Sequence, residues 1–129
     1  MIHNKPLFSE MIIATVLVAV FHIIGINFNI YYILSWYDIF MHIFGGLTIS
    51  FIFCFFYLNY YKKEPVDDEK IFILAVACVL IVGIGWEIFE FGTGLTGTTL
   101  YDAVDTAKDF LDDFLGAILG TLYFIKKNN

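Results

Sequence analysis

Four apolar stretches dominate a chain of only 129 residues, each close to the roughly 20 residues needed to cross the hydrocarbon of a bilayer. The first runs from about Phe8 to Ile26 and the second from about Tyr37 to Tyr61. The third runs from about Lys70 to Phe91, and the fourth from near Asp105 to just before Lys126. Backbone amides in lipid must be satisfied within their own segment, so such stretches can only be helices. The expected fold is all-α: a four-transmembrane-helix bundle forming a single integral membrane domain over residues 1–129. The composition agrees, with 60% hydrophobic residues and a mean hydropathy of +0.80, where soluble domains are nearer half apolar. The first stretch has no small-residue cleavage pattern at its far end, so it reads as an uncleaved anchor rather than a secretory signal.

The connections differ in character. Asn27 to Trp36 is short and aromatic, as suits an interface. Lys62 to Lys70 contains Pro65 and an acidic run and reads as a solvated turn, while Gly92 to Tyr101 reads as a flexible Gly/Thr loop. That loop lacks Walker spacing and a following Lys, so it is not a nucleotide loop. There is no Arg, and the seven Lys form no basic face, which excludes nucleic acid as a partner. Cys54 and Cys78 each lie inside an apolar run and read as buried single thiols that say nothing of redox compartment.

Lysine placement gives an orientation. Lys5, Lys62, Lys63, Lys70, Lys126 and Lys127 fall on one side of a four-span arrangement, and only Lys108 falls on the other. The positive-inside rule then makes both termini cytoplasmic. Asp38 and His42 follow at the outer start of the second span, and Glu87 and Glu90 at the outer end of the third. Asp102, Asp105, Asp109, Asp112 and Asp113 enter from the outer loop. All of these groups converge on the extracytoplasmic side. Carboxylates in or beside lipid are costly, so their clustering marks a functional site.

Spacing organises the cluster. Asp38 and His42 are four apart and Glu87 and Glu90 three apart, so each pair shares a helical face. Asp102, Asp105, Asp109 and Asp112 or Asp113 form one acidic stripe. At ~1.5 Å per residue Asp113 lies some 10–12 Å deeper than Asp105, inside the hydrocarbon zone, and must face other helices. Like charges this dense repel, and a bound cation is the economical way to neutralise them, as in four-helix carboxylate metal sites. The expected metal ligands are His42, Glu87, Asp109, Asp113 and Asp38, with Glu90 and Asp105 left as catalytic bases. Oxygen-rich ligation with one His suits Mg, Mn or Ca, with Zn or Fe less favoured. Plainer roles compete. Asp102 and Asp105 also suit a helix cap and a first-turn acid, and Asp38 a cap of the second span. Glu90 also reads as an interfacial solvated acid. His42 also reads as a core histidine bonded to Asp38, and His22 as a structural histidine one turn from the outer end of the first span. Trp86 suits the outer interface. Gly116-x-x-x-Gly120, Gly45-Gly46, Gly83 and Gly85 read as close-packing positions within the bundle, with a homodimer through Gly116 and Gly120 as the alternative.

The motif order Asp38-x-x-x-His42, Glu87-x-x-Glu90 and Asp109-x-x-x-Asp113-x-x-Gly116-x-x-x-Gly120 resembles the VanZ-like and related YjdF-type bacterial membrane proteins. The resemblance covers the second to fourth spans. VanZ-like chains usually end the second motif in Gln and often carry Asn where Asp113 stands. Trp86-Glu87 and Asp105-Thr106 lean toward the YjdF type. The resemblance implies a plasma-membrane protein of the bacterial envelope. A similarity to CDP-alcohol phosphotransferases fails, because their pattern needs an Asp-Gly and an Ala-Arg that this chain lacks.

Three functions compete. The first is a metal-dependent hydrolase acting on a lipid-linked or envelope substrate at the outer leaflet. The second is a non-catalytic envelope factor with a structural cluster. The third is a cation or proton pathway, disfavoured by the apolar inner halves of spans three and four.

Overall fold

The structure is a computed structural model that describes residues 5–61, 67–94 and 102–128. The described residues are helical, with no strand among them. Five helices follow in order: α1 (Lys5–Asn27), α2 (Ile30–Ile33), α3 (Ser35–Tyr61), α4 (Asp68–Thr93) and α5 (Asp102–Asn128). The expected turn at 62–66 and most of the Gly/Thr loop, 95–101, lie outside the described residues.

The count corrects the expected four. The fifth helix, α2, is a single turn within the short aromatic connection. Asn29 precedes it in the left-handed region at φ 54°, a conformation Asn tolerates better than most residues. The chain therefore turns sharply between α1 and α3 without glycine. Local signals explain other ends. Asp67 caps α4 by accepting hydrogen bonds from the amides of Glu69 and Lys70 at 3.1 and 3.3 Å. Gly94 closes it at φ 65°, donating its N–H to the carbonyl of Glu90.

Among the described residues three helices, α1, α3 and α4, are long and apolar enough to cross a membrane. α5 is long but two-faced. Asp109, Asp113, Gly116, Ala117, Gly120, Thr121 and Phe124 are buried, whereas Leu111, Leu115, Leu119 and Leu122 are exposed. The recurrence every three to four residues is that of one helical face turned inward and one turned out. Its acids lower its overall apolarity, yet its outward stripe is as aliphatic as those of α1 and α4, which expose Ile12, Ile13, Ile81 and Ile88 among others.

α3 is the central helix and packs against α5 most extensively, and against α1 and α4. A Cβ on Gly116 would collide with the carbonyl of Ile43, and one on Gly120 with Ser50 Oγ. Small residues thus bring the two backbones close enough for direct van der Waals contact. This face of α5 is spent within the chain. At the end where α1 begins and α5 ends, Leu7, Met11, Phe51, Cys54, Phe55, Leu58, Ile71, Ala75 and Phe124 form one apolar core. Glu10 on α1 ties to Tyr123 and Lys127 on α5 there. The carboxylate holds the Lys127 ammonium above its usual range.

Candidate metal centre

His42 lies one turn below the start of α3's buried face and is itself buried. Its Nδ1 is 3.1 Å from Asp113 Oδ1 on α5. In the tautomer that carries its proton on Nδ1, His42 donates this bond to the carboxylate. The opposite ring nitrogen, Nε2, faces two further carboxylates: Asp109 Oδ1 at 3.6 Å and Asp38 Oδ1 at 3.8 Å. Asp38, His42 and Asp109 each offer one ligand atom, and those atoms lie within 4.8 Å of one another. A histidine that gives one N–H to a carboxylate and turns its other nitrogen toward oxygen donors has the arrangement of a metal-ligating imidazole with an outer-shell partner. Hard divalent cations hold oxygen ligands at ~2.0–2.6 Å, which sets neighbouring ligand atoms roughly 3–4 Å apart, the spacing of the His42 nitrogen from both carboxylates.

The backbone is shaped around Asp113. A Cβ on Gly46 of α3 would meet the Asp113 carbonyl, and one on Gly83 of α4 would lie 2.5 Å from Asp113 Oδ2. Gly46 thus lets the backbone at Asp113 approach α3, and Gly83 leaves room on α4 for its carboxylate. Sequence reasoning assigned both to generic helix packing. A glycine on each of two neighbouring spans, at the depth of a predicted buried acid, was the available signal.

The remaining acids take different places. Glu87 is half-buried on α4 and accepts a 2.6 Å hydrogen bond from Thr106 Oγ1, one turn before Asp109 on α5. It meets the fourth long helix, but through a hydroxyl rather than as a member of the Asp38–His42–Asp109 group. Asp105 is exposed and pairs with Lys108 at 3.8 Å. Asp102 begins α5, and Asp112 is half-buried beside the site. Glu90 is half-buried and lines a cavity together with Asp38, His42 and Asp113.

That cavity has a volume of about 320 Å³ and opens between α1 and α4, with α3 as its floor. Its walls are largely apolar. At its polar end His22 Nδ1 is hydrogen-bonded to the hydroxyl of Tyr31 at 2.8 Å, and the His22 ring packs edge-on against Trp86. His22 is thus placed by its neighbours and is outside the metal group. Burial, with the nearby Tyr37, Asp38 and Glu90, pushes the Tyr31 hydroxyl well above the ordinary phenol range, so it stays protonated. Tyr37 anchors the same corner by donating to the carbonyl of Phe21 at 2.7 Å.

Residues 3–129 match the model of a family described as Predicted membrane protein (DUF2238). The chain belongs to that family. Its exposed aliphatic helix faces are those of a membrane protein, for which lipid is the covering solvent. No curated protein and no solved structure matches the chain. For this membrane protein, function must be read from the site.

Proposed function

We propose that this protein is a metal-dependent membrane hydrolase acting on a lipid-linked or envelope substrate. The observation that carries the reading is His42, held by Asp113 through one nitrogen while the other faces Asp38 and Asp109. In this reading Asp38, His42 and Asp109 hold a divalent cation, Mg, Mn or Ca by its ligand chemistry, with Zn or Fe less favoured. Asp113 orients the imidazole. A cation there would acidify a water and polarise a phosphoryl or carbonyl oxygen. Glu90, on the cavity wall and outside the ligand group, is the general base. The exposed Asp105, paired with Lys108, has less support for that role, and Glu87 aligns α4 with α5 through Thr106.

The proposal includes four spans, with α5 the fourth by virtue of its leucine stripe, and both termini cytoplasmic by lysine placement. The centre then opens to the outer side of a bacterial plasma membrane, as the VanZ-like and YjdF-type resemblance implies. One observation favours the non-catalytic reading instead. His42 pairs only with Asp38, Asp109 and Asp113 among the described ion pairs, and once doubly protonated it would compensate their charge without a metal. A conducting pathway lacks support, because the other end of the bundle is filled by apolar side chains.

The test is release of phosphate from a prenyl diphosphate in vesicles holding purified protein and Mn²⁺. Release that needs the metal and is lost in Asp109→Asn supports hydrolysis. Tight Mn²⁺ binding with no release across phosphate and acyl esters favours the structural reading.

A further inference from the structure

The cavity between α1 and α4 is not needed to explain a metal centre. A cation requires the ends of three side chains, yet the opening continues along the bundle well past them. Its floor follows α3 from Asp38 to Ile49, which at ~1.5 Å per residue is about 16 Å. Half of a bilayer's ~30 Å hydrocarbon core is about 15 Å. The groove is therefore long enough to hold a chain over the depth of one leaflet. Its volume of about 320 Å³ is at the lower end of the ~300–1,000 Å³ usual for ligand sites, which suits one hydrocarbon chain and not two. Among the described residues α1 and α4 meet through His22 and Trp86 at the polar end, and below that contact Thr15, Ala19 and Val82 on the two walls are exposed, which leaves the long side open.

The floor has a further property. Gly46, next in sequence to Gly45, is pressed against Asp113, but a Cβ on Gly45 would meet nothing within 4 Å. Gly45 lines the groove and is not required for helix contact. Its missing side chain leaves the floor open. Val18 and Ala19 on α1 and Val82 on α4 form the walls.

We propose that this groove takes a single acyl or prenyl chain of a bilayer lipid, entering sideways between α1 and α4. The lipid's polar head then lies against Asp38, His42 and Glu90, where the metal centre acts on it. This rests on the hydrolase reading and names its substrate class: an amphiphile recognised by its chain in the leaflet. An anionic head group matches the carboxylate end only with a cation present, whereas the chain's contacts are independent of the metal.

The experiment uses full-length protein in phosphatidylethanolamine–phosphatidylglycerol vesicles. These carry a trace of phosphatidylethanolamine with a diazirine midway along one acyl chain. After photolysis, labels are mapped by mass spectrometry. Wild type is expected to label at Ile49 and Thr15, the deep end of the groove. Gly45→Leu, which fills the floor without meeting a neighbour, is expected to lose those labels while keeping Mn²⁺ binding and thermal stability. Val82→Trp, from the opposite wall, is expected to do the same. Asp109→Asn is expected to lose Mn²⁺ and keep the labels. Groove labelling unchanged in both blocked variants, or labels confined to outward residues such as Ile13 and Ile81, would overturn the inference while leaving the metal reading intact. Groove labelling in a wild-type protein that binds no metal would instead sink the hydrolase reading and leave the groove assignment standing.

Discussion

The two ends of this bundle are built by the same helices on opposite terms. Where α1 begins and α5 ends, Leu7, Phe55, Ile71 and Phe124 from α1, α3, α4 and α5 close an apolar core. At the other end the same helices spread around His22, Asp38, His42, Glu90 and Asp113 and leave a cavity. In lipid no hydrophobic force presses helices together, so tight van der Waals packing must hold the bundle. The closed end supplies that packing. The open end can then carry costly carboxylates and empty space, which mark function more than stability.

The comparison is broken most severely where the two ends join. Gly116 lies against the Ile43 carbonyl, so Gly116→Leu must push α5 off α3. Forced overpacking of this kind costs more than about 3 kcal/mol when backbone cannot yield. The expected result is loss of the folded monomer in detergent, read by size-exclusion and circular dichroism. A variant that melts like wild type would mean that α3 and α5 are not in backbone contact.

The next effect separates the ends by chemistry. Metal present at 100 times its dissociation constant stabilises by ~2.7 kcal/mol. EDTA should therefore lower the melting temperature at neutral pH. The loss should shrink toward pH 5, because protons then neutralise the carboxylates that the cation neutralised. A melting temperature indifferent to EDTA from pH 5 to 8 would favour a plain hydrogen-bonded cluster.

Phe124→Ala addresses the closed end alone. The cavity term alone, for roughly 100 Å³ at ~24 cal/mol per Å³, costs about 2.4 kcal/mol, with no change in Mn²⁺ affinity. A matching loss of affinity would show that the two ends are coupled. Thr106→Val is smaller, about 1 kcal/mol for the hydrogen bond to Glu87. Its expected signature is a slight loss of stability with metal still bound, and abolished binding would return Glu87 to the ligand set.

Much of this contrast was legible in the sequence. The stretch read as 8–26 is α1 at 5–27, and 70–91 is α4 at 68–93, because length and apolarity alone define such helices. The four-residue step from Asp38 to His42 put both on one face, and they meet at 3.8 Å. Asp113 was expected inward by its depth, and it is. What the sequence did not give was rotation between helices. Glu87 and Asp109 looked equivalent as buried acids, but a partial turn decides that one meets Thr106 and the other His42. Nor did spacing distinguish Gly45, which faces a void, from Gly46, which faces Asp113. The turn α2 was missed because four residues are too few to show helical periodicity.

The central claim is that His42 Nε2, Asp38 and Asp109 together hold a divalent cation. Calorimetric titration of metal-stripped protein with Mn²⁺ tests it most directly. One site per chain is expected, absent in Asp109→Asn and weakened about 10–100-fold in Asp113→Asn, which leaves the ligands but loosens the imidazole. Equal Mn²⁺ binding by wild type and Asp109→Asn, or none by either, would contradict it.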